Sequence, residues 1–130
     1  MIAKPKIPRP TDAELEILQV LWENGPTTVR FVNDRLNEKK NVGYTTTLKI
    51  MQIMNDKGIL NRRKKERTHV YSPALEEVET QSLLLDKLLR NAFSGSASKL
   101  IMQALGGRRT SAKELKEIKE LITKLEKNQK

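Results

Sequence analysis

One stretch, from Tyr44 to Gly58, constrains the chain more than any other because it carries two distinct faces at helical spacing. Its apolar side chains form one stripe, made up of Leu48, Ile50, Met51 and Met54. Its polar side chains fall on another side, made up of Thr45, Lys49, Gln52 and Asp56. Gly58 ends the segment as a helix stop. The polar groups suit phosphates and base edges, although the pattern taken alone is more typical of a half-buried helix with a solvated face.

Composition narrows the class of protein that can carry this helix. The chain has 130 residues, enough for one ordinary domain or two small ones, and only 4% aromatic residues, which disfavours one large core. Its formal net charge is +9, with 14 Lys and Arg against 8 Asp and Glu in residues 1–73. So basic a chain favours a polyanionic partner, nucleic acid ahead of a membrane, although a basic surface kept for solubility gives the same charge.

The residue inventory argues against enzymatic chemistry. There is no cysteine, which removes disulfides, thiolate metal sites and cysteine nucleophiles. His69 is the only histidine, and a structural or phosphate-facing role suits it better than metal ligation or base catalysis. Helix capping and solvation explain the acidic residues Asp12, Glu14 and Glu16 better than a metal cluster does. We therefore expect no catalytic residues, no metal and no cofactor.

The amino-terminal end predicts neither a membrane segment nor a signal peptide. No apolar run in the chain approaches the roughly 18 residues of a membrane span, and the basic first residues lack an apolar signal segment. Residues 1–10 combine three prolines with basic side chains, which predicts a flexible basic arm that lies along DNA or stays solvated. We expect a cytoplasmic protein without membrane insertion.

Three short helices are predicted from residue 11 onward. The first begins with a capping box from Thr11 to Glu14 and ends at an Asn-Gly-Pro sequence. Thr28 caps a second helix of about residues 29–39, and a polar loop then leads into the helix that begins at Tyr44. The short connection between the second and third helices is typical of a helix-turn-helix.

A basic β-hairpin is predicted after the third helix. A run of basic residues is followed by alternating β-formers from Thr68 to Ser72, which places the tip near residues 64–67. The sequence lacks an Asn-Gly or Asp-Gly turn, so the pattern leaves the tip position open. Three helices and a hairpin make a winged helix-turn-helix, and we predict a mainly α fold with a DNA-binding domain at residues 11–73.

Residues 74–130 are predicted to be helical and to form a dimerisation domain. The pattern indicates a long helix over residues 74–93, a Ser-Gly-Ser break, a short apolar helix over residues 98–105, a hinge at Gly106-Gly107 and a final helix capped by Ser111. So short a segment cannot bury its apolar stripes alone. An identical chain is the most economical partner, and folding back on the amino-terminal half is the alternative.

The apolar side chains of these helices define the expected dimer interface. The residues expected there are Leu84, Leu88, Leu89, Phe93, Leu100, Ile101, Leu105, Leu115, Ile118, Leu121, Ile122 and Leu125. A two-fold dimer presents two copies of the third helix, which is the arrangement that reads a palindromic DNA site.

The expected DNA contacts come from the third helix and the hairpin. They are Tyr44, Thr45, Thr46, Lys49, Gln52, Arg63, Lys64, Arg67 and His69. Hydroxyls and free amides at the start of the helix suit phosphates, while Lys49 suits guanine and Gln52 suits adenine. Arg67 is expected at the hairpin tip, where it neutralises phosphate. Thr47 is left open between the DNA-facing and inward positions.

Several stretches together resemble a known family. They are Glu14-Leu-Glu-Ile-Leu18 with Leu21-Trp22, Gly43-Tyr-Thr-Thr-Thr-Leu48, Lys57-Gly58, Arg67-Thr-His-Val-Tyr-Ser-Pro73, and Phe93-Ser-Gly-Ser96 followed by two helices. With these, about residues 11–124 resemble the BlaI/MecI-type penicillinase-repressor family of bacterial transcriptional regulators. The resemblance implies a homodimeric repressor whose winged helices bind a palindromic operator and whose carboxyl-terminal helices interlock.

The resemblance also implies a route of induction. Family members with this layout repress β-lactamase or related resistance genes until a membrane sensor protease system leads to cleavage in the carboxyl-terminal domain. In the staphylococcal members the cleaved bond is Asn-Phe in the short helix, whereas the corresponding pair here is Gln103 and Ala104. A copper-responsive branch of the family uses carboxyl-terminal cysteines, and this chain has none.

Two other classes of function stand beside the repressor. A winged-helix protein–protein adaptor uses the basic face for acidic partners, and a nucleic-acid-processing enzyme needs a catalytic constellation that this sequence lacks. A gel-shift assay at two salt concentrations separates the repressor from the adaptor, because phosphate contacts give steeply salt-dependent binding. The leading prediction is a dimeric repressor released by proteolysis or by loss of dimerisation.

Overall fold

The computed structural model describes residues 9–107 and 109–129, and over these residues the fold is mainly helical, as predicted. The elements are α1 (Asp12–Asn24), α2 (Val29–Leu36), α3 (Tyr44–Asp56), β1 (Leu60–Lys65), β2 (Thr68–Pro73), α4 (Glu77–Ala92), α5 (Ala97–Gly106) and α6 (Ala112–Asn128). Two compact units divide between Thr80 and Gln81. The functional boundary predicted after residue 73 stays a prediction.

The first two helices begin at the caps that the sequence predicts. The Thr11 hydroxyl accepts from the Glu14 N–H at 3.2 Å, and Glu14 Oε1 accepts from the Thr11 N–H at 2.9 Å, which completes the capping box. Thr28 caps α2 by accepting from the Phe31 N–H at 3.2 Å. Residues 1–8 of the predicted arm lie outside the described residues, and Pro10, directly before the first cap, is buried.

The connection between α2 and α3 corrects the predicted end of the second helix. The helix ends at Leu36, not near residue 39, because the side chain of Asn37 bonds to the loop backbone. Asn37 Nδ2 donates to the Val42 carbonyl at 2.8 Å, and Asn37 Oδ1 accepts from the Val42 N–H at 3.1 Å. This pair of bonds closes the turn that precedes α3.

Gly58 ends α3 as predicted. The Ile59 N–H donates to the Met54 carbonyl at 2.9 Å, and the Gly58 N–H donates to the Asn55 carbonyl at 3.1 Å. This bonding pattern is a Schellman motif, which needs a left-handed residue after the helix, and Gly58 supplies it with φ 81°. The chain then turns directly into the hairpin.

The hairpin has the predicted tip. Its register pairs Leu60 with Pro73 and Lys65 with Thr68, which leaves a two-residue loop of Glu66 and Arg67. Glu66 adopts a left-handed φ of 57°, so the turn forms without Asn or Gly. We refer to this hairpin, residues 60–73, as the wing.

The core of the first unit lies between the three helices and the wing. A backbone bridge ties the wing to the turn before α2: the Thr27 N–H donates to the Tyr71 carbonyl at 3.0 Å, and the Tyr71 N–H donates to the Thr27 carbonyl at 2.8 Å. The buried apolar side chains are Ile17, Leu18, Leu21, Val29, Val32, Leu36, Met51, Met54, Ile59, Leu60 and Tyr71. Burial of this cluster is the main term that holds the unit together.

An ion pair between buried Glu14 and the exposed Lys57 joins the start of α1 to the end of α3. Lys57 Nζ lies 2.8 Å from Glu14 Oε2, and only 5% of the Glu14 side chain is exposed. Burial raises the pKa of Glu14, but hydrogen bonds from Lys57 and Thr11 and the charge of Lys57 outweigh it. The pKa therefore lies below its ordinary value of 4.5.

The first carboxyl-terminal helix begins later than predicted. It starts at Glu77 and not at residue 74, because Leu75 is held on the first unit. Trp22 Nε1 donates to the Leu75 carbonyl at 3.0 Å, and Leu75 packs against the core cluster. The helix then continues through Thr80 into the second unit.

The second unit leaves its apolar side chains largely open to solvent. In α5 and α6 no described side chain is buried, and the Ser111–Glu114 capping box begins α6 as predicted. The exposed members of the expected dimer interface are Leu88, Ile101, Leu115, Leu121, Ile122 and Leu125. The half-buried members are Leu84, Leu89, Phe93, Leu100, Leu105 and Ile118. The unit thus lacks a closed core of its own.

Replacement of Glu14 by Gln should lower the free energy of unfolding at pH 7 by about 1–2 kcal/mol, because the partly buried, charge-assisted bonds to Lys57 are lost. As the pH falls, Glu14 is protonated in the unfolded chain before it is protonated in the folded one. The stabilisation by the Glu14 carboxylate is therefore complete above about pH 4.5 and disappears as the pH drops through the lowered pKa of Glu14 in the folded protein. Urea unfolding at several pH values should show the difference between wild type and variant shrinking in acid.

The matched control is Glu16→Gln, because Glu16 forms an exposed pair with Lys40 at 2.9 Å. That substitution should cost less than about 0.5 kcal/mol. Equal losses for the two variants, or a Glu14→Gln loss that persists unchanged in acid, would contradict the assigned role of Glu14.

Replacement of Thr47 by Val should destabilise the protein by about 1–2 kcal/mol, because the hydroxyl of this fully buried residue accepts from Asn33 Nδ2 at 2.8 Å. Thr46→Val, one position away and exposed, is the control and should stay within about 0.5 kcal/mol of wild type. Chemical denaturation measures both values, and indistinguishable variants would show that the hydroxyl of Thr47 contributes nothing.

Candidate nucleic-acid interface

Helix α3 exposes the polar face that the sequence predicts. Thr45, Thr46, Lys49 and Gln52 are exposed, while the opposite face is buried. Thr47, which the sequence leaves open, lies inward with Met51 and Met54 and is fully buried. The helix therefore turns hydroxyl, ammonium and amide groups towards solvent over most of its length.

The start of α3 is suited to an anion. Its N-cap is Gly43, which offers no capping side chain, so the first-turn amides of residues 44–46 have no side-chain acceptor within the described chain. The amides and the helix dipole together favour negative charge at this end. The only acid on the exposed face, Asp56, lies at the opposite end of the helix.

A groove of about 500 Å³ opens between the start of α3 and the wing. Its walls come from three segments that are distant in sequence, and they consist of Thr28, Val29, Arg30, Tyr44, Leu48, Arg67, Thr68, His69 and Tyr71. None of these lining residues is acidic. The groove therefore brings three of the expected DNA contacts, Tyr44, Arg67 and His69, to one place.

Sequence reasoning missed one basic residue of this groove. Arg30 stacks on the ring of Tyr44, with its Cζ 4.4 Å from the ring centroid. The only signal in the sequence is its position two residues after the cap Thr28, on the solvent side of α2. Only the folded chain places it beside Tyr44, because the start of α2 and the start of α3 line the same groove.

The wing separates the basic residues that the sequence grouped together. Lys64 pairs with His69 and Arg63 pairs with Val70, so Lys64 shares the hairpin face of His69 while Arg63 lies on the other face. Arg63 lines a second, smaller groove of about 230 Å³ with Val70 and Pro26. The structure thus brings Arg67 and His69 towards α3, but not Arg63.

Most basic side chains of the groove lack acidic partners. Within the described part of the chain, no carboxylate oxygen lies within 4.0 Å of Arg30 or Arg67. By contrast, Arg35 on the same helix as Arg30 lies 3.8 Å from Glu23 and 3.9 Å from Glu38. The groove cations are therefore available to an external anion.

Other kinds of site are not formed by the residues that can be described. Across residues 9–107 and 109–129, no three His, Cys, Asp or Glu side chains gather as metal ligands would. Among the described helices, none has both the length and the apolar character that a membrane crossing requires.

The pair that corresponds to the cleaved bond of the staphylococcal proteins lies in α5. Gln103 and Ala104 are both exposed, and Arg109 Nη1 donates to the Gln103 carbonyl at 3.1 Å.

Comparison with solved structures supports the winged-helix assignment. The solution structure of the DNA-binding domain of the repressor BlaI matches with a TM-score of 0.50 and 32% identity, over 55% of this chain and 88% of that one. The Bacillus licheniformis BlaI monomer in complex with the blaP half-operator matches with a TM-score of 0.50 and 31% identity, over 57% and 90% of the two chains. A MarR family protein from Bacillus stearothermophilus, 18% identical with a TM-score of 0.52 over 92% of this chain and 74% of that one, shares the fold.

Sequence comparison extends the similarity along the chain. The penicillinase repressor of Bacillus licheniformis is 26% identical over 117 residues, 90% of this chain and 91% of that protein. The transcriptional regulator BlaI of Mycobacterium tuberculosis is 27% identical over 123 residues, 93% and 88% of the two chains. The penicillinase repressor family itself matches residues 10–124. The chain therefore belongs to the penicillinase repressor family of DNA-binding transcriptional regulators.

Proposed function

We propose that this protein is a homodimeric transcriptional repressor that binds a palindromic operator through two winged helices. The observation that carries the proposal is the exposed polar face of α3 beside a groove lined by Arg30, Tyr44, Arg67 and His69 without an acid. The half-operator complex of the related BlaI protein supports the same mode of binding for this chain.

In this proposal α3 enters the major groove. The uncapped amides and the side chains of Tyr44, Thr45 and Thr46 bind phosphate, whereas Lys49 and Gln52, one and two turns further, meet base edges. On the wing, Lys64, Arg67 and His69 follow the backbone, which adds affinity without sequence information. Arg63 remains a predicted phosphate contact. Because it lies on the other face of the wing, it can contact only DNA that extends beyond the groove.

The second unit supplies the dimer in this proposal, with residues 11–73 as the DNA-binding domain and residues 74–130 as the dimerisation domain. Its apolar side chains remain open in the single chain, with Leu121 54% exposed and Leu125 52% exposed. Exposed apolar surface on this scale favours association, and an identical chain supplies an equal surface. The two-fold symmetry then matches the symmetry of a palindrome.

Release follows from loss of the dimer. Two linked winged helices bind two half-sites far more tightly than either binds one, so separation of the chains lowers operator affinity without altering α3. Cleavage near Gln103 and Ala104, which are exposed on α5, detaches α6 and removes much of the apolar surface. A membrane sensor protease system is the partner that the family resemblance implies.

A gel-shift titration tests the DNA-binding face with two double variants. Lys49→Ala with Gln52→Ala should abolish the preference for the palindromic operator over random DNA, because each good base contact contributes about 1–3 kcal/mol of discrimination. Lys64→Ala with Arg67→Ala should weaken operator and random DNA alike and reduce the salt slope by about two.

Identical behaviour of the two variants would contradict the division of roles between α3 and the wing. A wild-type protein that shifts no duplex at low salt would instead favour a protein–protein adaptor with a basic interaction face.

Sedimentation equilibrium tests the dimer with Leu121→Asp combined with Leu125→Asp. Both side chains are exposed in the single chain, so the variant should keep its helices but lose the dimer, and its operator affinity should fall by a factor of about 10²–10⁴. A chain that ends at Gln103 should behave in the same way. Thr123→Asp, on the same helix but outside the apolar set, is the control and should stay dimeric. If the Leu121→Asp, Leu125→Asp double variant also stays dimeric with full operator affinity, the proposed interface is wrong.

A further inference from the structure

Arg30 is not among the predicted DNA contacts, but it has the features of a binding residue. Its guanidinium rests on the Tyr44 ring at 4.4 Å, and no carboxylate oxygen within the described residues lies within 4.0 Å of it. Stacking on a ring uses the flat face of a guanidinium and leaves the N–H donors at its edge available. Such an edge matches the oxygens of a phosphate.

The groove around Arg30 has the size and charge of a site for one strand of DNA backbone. At about 500 Å³ it is far too small for a duplex, but it accommodates a phosphate with its neighbouring sugars. Arg30 and Tyr44 line the helix side, and Arg67 and His69 line the wing side. A backbone segment that enters it therefore meets donors from both walls.

We propose that this groove receives the sugar-phosphate backbone of one operator strand and that Arg30 is a phosphate-binding residue contributed by α2. Tyr44 is its positioning residue, since its ring holds the guanidinium in place before DNA arrives. An arginine that is already stacked loses less side-chain freedom on binding than one that moves freely. The inference rests on the proposed function, because it assumes DNA binding and adds α2 as an anchor.

The assignment has a distinct physical consequence. A phosphate contact carries no sequence information. Arg30 therefore positions the protein on the duplex and strengthens its binding to all DNA sequences equally. It also releases counterions, so its contribution decreases as the salt concentration rises. A base contact would behave differently, because it would act on the operator alone.

The test is a fluorescence anisotropy titration of the full chain with two labelled duplexes. One is a palindromic duplex that the wild-type protein selects from a randomised pool, and the other is a duplex of random sequence. Arg30→Gln should weaken binding to both duplexes by the same factor. Loss of one phosphate contact lowers the salt slope by about one, so the ratio of wild-type to variant affinity should narrow about threefold between 50 and 200 mM salt. Arg35→Gln, on the same helix but beside Glu23 and Glu38, should keep the wild-type slope.

The positioning role of Tyr44 is tested in the same assay. Tyr44→Phe keeps the ring and Tyr44→Leu removes it, so the second variant should bind more weakly than the first. That difference should vanish when both are combined with Arg30→Gln, because the ring then has no guanidinium to hold. A difference that persists without Arg30 would overturn the positioning role.

The two levels of the proposal fail in different ways. If wild-type protein binds DNA but Arg30→Gln keeps its affinity and salt slope, the inference is wrong and the repressor function stands. If Arg30→Gln weakens the palindromic duplex only, Arg30 contacts bases and the phosphate role is wrong. If wild-type protein binds neither duplex at 50 mM salt, the proposed function fails and the inference fails with it.

Discussion

The rotation of α3 about its own axis determines what this protein can present to a partner. That rotation is fixed at three levels: Met51 and Met54 are buried, the Thr47 hydroxyl bonds to Asn33, and Lys57 is paired with the buried Glu14. A helix held only by apolar contacts can slide or turn at low cost, whereas directional polar bonds in a buried site penalise every other orientation. The exposed face of α3 is thus a consequence of what is bonded beneath it.

The groove depends on a second set of contacts that lie outside α3. The Thr27–Tyr71 bridge fixes the wing to the turn before α2, and the Asn37 side chain sets the turn between α2 and α3. These bonds hold three sequence-distant segments around one space. Because each wall is built on a regular element or a tight turn, the positions of Arg30, Tyr44 and Arg67 are pre-organised, which reduces the ordering cost of binding.

The two units solve the problem of burial in opposite ways. The first closes a core of eleven apolar side chains within one chain, whereas the described helices α5 and α6 bury none. A segment of this size with open apolar stripes is incomplete alone. In the proposed function, DNA recognition belongs to the closed unit and association to the open one, so that the dimer can be lost without unfolding the recognition surface.

The sequence by itself determined the local structure: the caps at Thr11 and Ser111, the helix stop at Gly58, the hairpin with its tip near residues 64–67, and the two faces of α3. These features depend on side chains a few residues apart, so periodicity and capping rules suffice. Strand alternation also separates Arg63 from Lys64 locally. Tertiary structure alone decided the inward position of Thr47, the stacking of Arg30 on Tyr44, which face of the wing lines the groove with α3, and the late start of α4 caused by the Trp22–Leu75 bond. Each of these is a contact or a choice of face set by packing between segments that are separate in the chain, and no local pattern records which segments will meet.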